Sequence, residues 1–119
     1  MDTIQLKKFQ ERLLKRRQQI MGTLNHLAEK AQEVTGQRHF DWLDQARDEN
    51  EMRLLGRLND GYLLEVEKIQ MALERITSGI YGLCLACHQP IENTRLEIFP
   101  EAEFCMGCKE MRERFEKAA

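Results

Sequence analysis

The chain holds four cysteines in two pairs, Cys84-x2-Cys87 and Cys105-x2-Cys108, separated by residues 88–104. Two residues between thiols let one tight knuckle present both sulfurs to a single ion. Two such knuckles complete a tetrahedron with bonds of about 2.3 Å when the ion is zinc. The spacing falls within the C-x2-C-x15-20-C-x2-C zinc pattern. Gly82 ahead of the first pair and Gly107 inside the second supply the backbone freedom that knuckles need. The reading is one structural Zn2+ held by Cys84, Cys87, Cys105 and Cys108. His88 could replace a cysteine ligand, but with four sulfurs available it reads as a neighbour on the knuckle.

Other chemistries fit these residues less well. Cys84 to His88 reads CLACH, the attachment pattern for c-type haem, but a second Cys-x-x-Cys has no part in haem attachment. A thioredoxin-like redox pair would sit in a βαβ context, and none is visible. Four protein ligands close the coordination sphere and leave no position for water, so such a zinc stabilises but does not catalyse. It supplies the folding free energy that a segment of about 30 residues with few apolar side chains lacks. Nothing resembles a Gly-rich phosphate loop, a Ser/His/Asp set or a carboxylate pair, and the reading is that the protein is not an enzyme.

The elements that carry the cysteines follow from apolar spacing. Leu6, Phe9, Leu13, Ile20, Leu24, Leu27, Ala31 and Val34 recur in steps of three and four, with one beat missed near Arg16 and Arg17. A second seam runs Leu55, Leu58, Tyr62, Val66, Ile69, Leu73 and Ile76, and keeps phase across Gly61. Gly36 is a helix stop and Asp41 an N-cap for the next helix. Two long helices joined by a short connector fold back as an antiparallel hairpin, unless the seams pair between chains. The fold expected is mainly α: a coiled-coil hairpin over 1–78 with its tip near 35–46, then a four-cysteine zinc finger and a short charged helix over 79–119. Within the finger, the alternation Thr94-Arg95-Leu96-Glu97-Ile98 predicts a small strand.

Charged residues make up 32% of the chain and aromatic ones 7%, too little apolar material for one large core. The charge is segregated: residues 1–38 carry eight bases against four acids, and 39–60 carry three against six. Asp41, Asp44, Asp48, Glu49 and Glu51 crowd the connector and the start of the second helix, together with the single tryptophan, Trp42. Asp41 and Asp44 suit a helix N-terminus, whose dipole favours negative charge. They are also placed to touch something remote from the body, and a phosphate backbone would repel them. Lys7, Lys8, Arg12, Lys15, Arg16 and Arg17 read as a solvated helical face. No early stretch has a signal-peptide core and no apolar run could cross a bilayer, so the expected location is the cytoplasm.

With Asp41-x-x-Asp44-x-Ala46, Tyr81-Gly82-Leu83-Cys84, Arg95-Leu96-Glu97 and a charged C-terminal helix, the sequence resembles the DksA/TraR family of bacterial transcription regulators. The resemblance spans nearly the whole chain. It implies a protein that binds RNA polymerase and no particular DNA sequence. The hairpin would enter the secondary channel and its tip would alter promoter-complex stability. Asp41 and Asp44 would be the tip carboxylates and Ala46 the small residue beside them. A basic cluster near the zinc module serves the alarmone ppGpp in responsive members. Lys68, Arg95 and Lys109 match such positions, while Gly61 and Phe99 stand where arginines are expected, which puts ppGpp synergy in doubt.

Three classes of function are thus in play. The first is a monomeric, non-enzymatic polymerase regulator. The second is a zinc-ribbon nucleic-acid binder using the basic first helix. The third is a plain coiled-coil adaptor in which the acidic tip is only a cap.

Overall fold

The computed structural model describes residues 1–36 and 42–118, with the side chains of 1–34 and 46–117. Four helices occur among them: α1 (Thr3–Gly36), α2 (Trp42–Ser78), α3 (Asn93–Ile98) and α4 (Met106–Ala118). The two long helices are the ones the seams predict, and α1 is described up to Gly36, so the expected helix stop and the Asp41 cap lie at or outside the limits of the described residues. α1 is capped by Asp2, whose carboxylate accepts from the Gln5 N–H at 2.7 Å. Gly61 lies inside a continuous α2. Its neighbourhood is open, so no packing demand explains a glycine there.

α2 ends in a Schellman motif. The Ile80 N–H donates to the Arg75 carbonyl at 3.0 Å and the Gly79 N–H to that of Ile76 at 3.2 Å. Gly79 adopts φ +79°, which a side chain would resist. This turn hands the chain from the long helix to the first cysteine pair.

The chain forms two compact units, Met1–Lys15 with Lys68–Ala119, and Arg16–Glu67. In the first, the core is Leu13, Ile69, Ala72, Leu73, Tyr81, Cys84, Ile91 and Leu96, all buried. Phe9 packs on Tyr81 with ring centroids 5.6 Å apart and planes tilted by 51°. In the second, Ile20 and Val34 are buried, and Leu24, Leu27 and Ala31 are half-buried on the same face of α1. On α2 of the same unit, Met52, Leu55, Tyr62 and Val66 are half-buried.

Two details of the seams differ from expectation. The beat missed in α1 is filled by Arg17, which is half-buried in heptad phase between Leu13 and Ile20. On α2 the seam position is Asn59, half-buried, whereas Leu58 is 41% exposed. Steps of three and four fit either residue locally. Only the full run Met52, Leu55, Asn59, Tyr62, Val66, Ile69 and Leu73 alternates three and four without a break.

The strand expected at Thr94–Ile98 is instead the short helix α3. The Glu92 carbonyl accepts from both Arg95 and Leu96 N–H groups, winding the chain into a turn. The alternation misled because only Leu96 is buried, while Ile98 is 69% exposed. One isolated antiparallel bridge, Leu83 with Pro90, is the only β-pairing among the described residues. No described helix is long and apolar enough to cross a membrane.

Candidate metal centre

The two cysteine pairs converge. The Sγ atoms of Cys84, Cys87, Cys105 and Cys108 all lie within 4.8 Å of one another, and no disulfide joins them. A zinc–sulfur tetrahedron with bonds of about 2.3 Å has sulfur–sulfur edges of about 3.8 Å. Cys87 Sγ and Cys105 Sγ stand 3.8 Å apart. The donor set, its number and its spacing therefore fit one zinc ion.

Each knuckle is built by local hydrogen bonds. In the first, the Cys84 N–H donates to Gln89 O at 2.8 Å and the His88 N–H to Cys84 O at 2.9 Å. His88 takes φ +61° to close this turn, and Gly82 takes φ +86° to open it. A Cβ on Gly82 would stand 3.1 Å from the Met1 methyl and 3.7 Å from Leu96. In the second, Cys105 immediately precedes α4 and its carbonyl accepts from the Lys109 N–H at 2.9 Å. Cys108 falls in the first turn of α4.

The thiols feel one another strongly. Burial raises the Cys84 thiol, but N–H groups of Cys87, Cys105 and Ala86 turned toward its sulfur, with the Cys87 thiol, outweigh it and bring it down to about 6. Cys108 is pushed up to about 12 by hydrogen bonds with Cys105, Cys84 and Cys87. Thiols this close resist carrying four negative charges without a cation among them, which is the condition a divalent ion relieves.

The other residues singled out in the sequence are placed as follows. Lys68, Arg95 and Lys109 line one cavity of about 290 Å³. Its wall also carries Phe99, Phe104, Glu101 and Glu103, so the bases share the space with two acids. Phe99, at one of the expected arginine positions, lies between two of these bases. Its ring centroid is 6.0 Å from the Arg95 guanidinium carbon and 6.0 Å from Lys109 Nζ. Ala46 is half-buried on α2. Asp41 and the side chain of Asp44 lie outside the described residues.

Two residues had no sequence signal for their roles. Arg75 is buried on α2, where desolvation lowers its pKa against the opposing pull of Glu103 and Tyr81. The Tyr81 hydroxyl is likewise buried and donates to Pro100 O at 2.8 Å. Burial pushes it up to about 12, opposed by Arg12 and Arg75 and supported by Glu101.

Four converging cysteines in a mainly helical chain define a zinc-finger helical protein. Comparison with known proteins makes this specific. Residues 79–114 match the model of the prokaryotic dksA/traR C4-type zinc finger. A Caulobacter vibrioides protein named RNA polymerase-binding transcription factor DksA is 32% identical over 117 residues, covering 98% of this chain and 82% of the relative. The Escherichia coli protein of the same name is 30% identical over 101 residues, 85% of this chain and 64% of that one. The solved structure of transcription factor DksA2 from Pseudomonas aeruginosa superposes with a TM-score of 0.86 at 31% identity, covering 98% of this chain and 89% of that one. The chain belongs to the DksA/TraR family, and its cofactor is one structural zinc.

Proposed function

We propose that this protein is a non-enzymatic transcription regulator that works by binding RNA polymerase. The observation that carries the reading is the match over 98% of the chain to a relative named for that activity. The closed four-thiolate site agrees with it, since such a zinc offers no open position for a substrate. In this reading the protein acts as a monomer in the cytoplasm. Residues 1–78 form the arm, and 79–119 form the zinc module that anchors it.

The finer mechanism rests on the family motif. Asp41, Asp44 and Ala46 would form the tip that enters the polymerase secondary channel and changes the lifetime of promoter complexes. Lys68, Arg95 and Lys109 would face the polymerase or an anionic ligand such as ppGpp. Glu101 and Glu103 beside them, and Phe99 in place of a base, oppose tight binding of a polyphosphate.

The nucleic-acid reading is disfavoured because two of the bases it needs are engaged within the chain. Arg12 donates to the Glu97 carbonyl, and Arg16 pairs with Glu65. One experiment separates the readings: pull-down of core polymerase alongside transcription from a responsive promoter, with Asp44→Asn beside the unaltered protein. The expected result is retained binding with the transcriptional effect abolished. An equally active Asp44→Asn protein would remove the tip mechanism, and salt-sensitive DNA binding without polymerase would favour the nucleic-acid reading.

A further inference from the structure

The segment Glu97–Phe104 leads into the second cysteine pair with little regular structure beyond the end of α3, yet five of its carbonyls accept hydrogen bonds from other parts of the chain. Glu97 O accepts from Arg12 Nη2 of α1. Pro100 O accepts from Tyr81 Oη at 2.8 Å, and Ala102 O from Arg75 Nη2 of α2 at 3.5 Å. Glu103 O accepts from the Leu85 N–H of the first knuckle at 2.9 Å. Phe104 O accepts from Arg95 Nε of α3 at 3.0 Å. Four of these five donors are long side chains reaching in from separate elements, doing for this strap what a neighbouring strand would do in a sheet.

The last of these bonds bears directly on the metal site. Phe104 O and the Cys105 N–H belong to one peptide group, and a planar peptide turns as a unit. Arg95 grips one side of that plane. The orientation of this single peptide therefore sets the direction in which Cys105 leaves the strap. Arg95 is itself held: its Nη1 lies 3.9 Å from Met106 Sδ and its guanidinium rests near the Phe99 ring. A planar guanidinium fork keeps direction in a way that a flexible ammonium cannot.

We propose that Arg95 is a positioning residue of the metal centre, fixing the Phe104–Cys105 peptide, with Tyr81 and Arg75 holding the strap that delivers it. Groups that orient metal ligands from outside the coordination sphere commonly change affinity by roughly 10- to 100-fold when removed. This role is separate from whatever partner or ligand the adjoining cavity takes. It explains why an arginine lies between the cysteine pairs in terms of the chain's own folding.

The test uses the full-length protein loaded with zinc, and with cobalt(II) as a spectroscopic probe of the tetrahedral thiolate site. Arg95→Met is expected to raise the metal dissociation constant by about 10- to 100-fold in competition with a chromogenic chelator. It should also shift the cobalt visible bands, while the far-UV helix signal of the metal-loaded protein is kept. Arg95→Lys should recover only part of the affinity, and Tyr81→Phe, which deletes one hydroxyl, should lower it by a smaller factor. Ile20→Val, in the other compact unit, controls for general destabilisation and should leave affinity unchanged. Affinities within twofold of wild type for Arg95→Met, with unmoved cobalt bands, would overturn the proposal, as would an equal loss in the Ile20→Val control. Should Arg95→Met fail to fold, Arg95→Lys and Tyr81→Phe decide, and unchanged affinity in both overturns it.

Discussion

Arg16 and Glu65, 49 residues apart, are joined by two parallel hydrogen bonds, Nε to Oε1 at 2.8 Å and Nη2 to Oε2 at 3.1 Å. The fork links α1 to α2 near one end of the unit Arg16–Glu67 and agrees with the antiparallel register that the seams set. The side chains are 48% and 29% exposed. Water and salt therefore screen the pair, and its worth is specificity of register more than stability. Glu65→Gln is expected to cost about 0.5 kcal/mol in urea denaturation at low salt, and less at high salt. A loss that ignores salt would show that the pair acts by another route.

The seam assignment can be checked by three substitutions in α2. Ile69, with no exposed surface, should lose about 2–5 kcal/mol on change to alanine. Leu58→Ala should cost well under about 2 kcal/mol, because that residue is 41% exposed and off the packed seam. Asn59→Leu should raise stability by about 1 kcal/mol, since a polar residue on a seam trades stability for register. Chemical denaturation of the three variants reads all of this. A large cost for Leu58→Ala together with a destabilised Asn59→Leu would return Leu58 to the seam.

Alkaline pH should loosen the unit that holds the cysteines. The Tyr81 hydroxyl ionises near 10.0 when unperturbed and at about 12 in the folded chain. Between those values the folded state keeps a proton that the unfolded state has released. Stability from this group is thus fully present below pH 10 and is lost as pH rises toward 12. Ultraviolet titration of phenolate should show one tyrosine ionising late, and Tyr81→Phe should abolish that step. A Tyr81→Phe protein with the same late step would assign it elsewhere.

Metal removal should dismantle the finger. The unit that holds the cysteines has few fully buried apolar side chains around residues 79–105, with Tyr81, Cys84, Ile91 and Leu96 as the buried set there. The expected metal content is one zinc per chain. A strong chelator, or Cys87→Ser, should remove the cooperative thermal transition of this region while much of the long-helix signal remains. Native-like melting of the metal-free protein would contradict the stabilising role given to zinc.

Two glycines should respond in opposite directions. Gly61→Ala, in a continuous helix with open space around it, should stabilise by about 0.5–1 kcal/mol. Gly79→Ala must adopt φ +79° and should destabilise by about 1 kcal/mol, because an L side chain resists that conformation. Paired thermal melts measure both, and a gain from Gly79→Ala would mean that the Schellman turn is not what ends α2.

Much of the architecture was legible because its signals are local or periodic. Heptad spacing exposed α1 and α2, and the pairing of cysteines two residues apart exposed the ion that unites them. Periodicity failed where a short segment offered too few turns to vote. Over five residues, Thr94–Ile98, a strand and a helix turn look alike until Leu96 is seen to be the one side chain taken into the core. Asn59 was overlooked for a related reason: steps of three and four tolerate its apolar neighbour, and only the packed face decides between them.

The sequence by itself determined the number, kind and spacing of the metal ligands, since thiol chemistry and a two-residue knuckle need nothing beyond the local chain. It also determined the two long helices, because every turn of each repeats the same apolar demand. Only the tertiary structure decided what steadies the second knuckle. The side-chain donors to residues 97–104 come from Arg12, Arg75, Tyr81 and Arg95, at separations of 85, 27, 19 and 9 residues. Hydrogen bonds of that reach leave no period in the sequence, because they depend on where the helices bring their side chains and not on the order in which the residues are written.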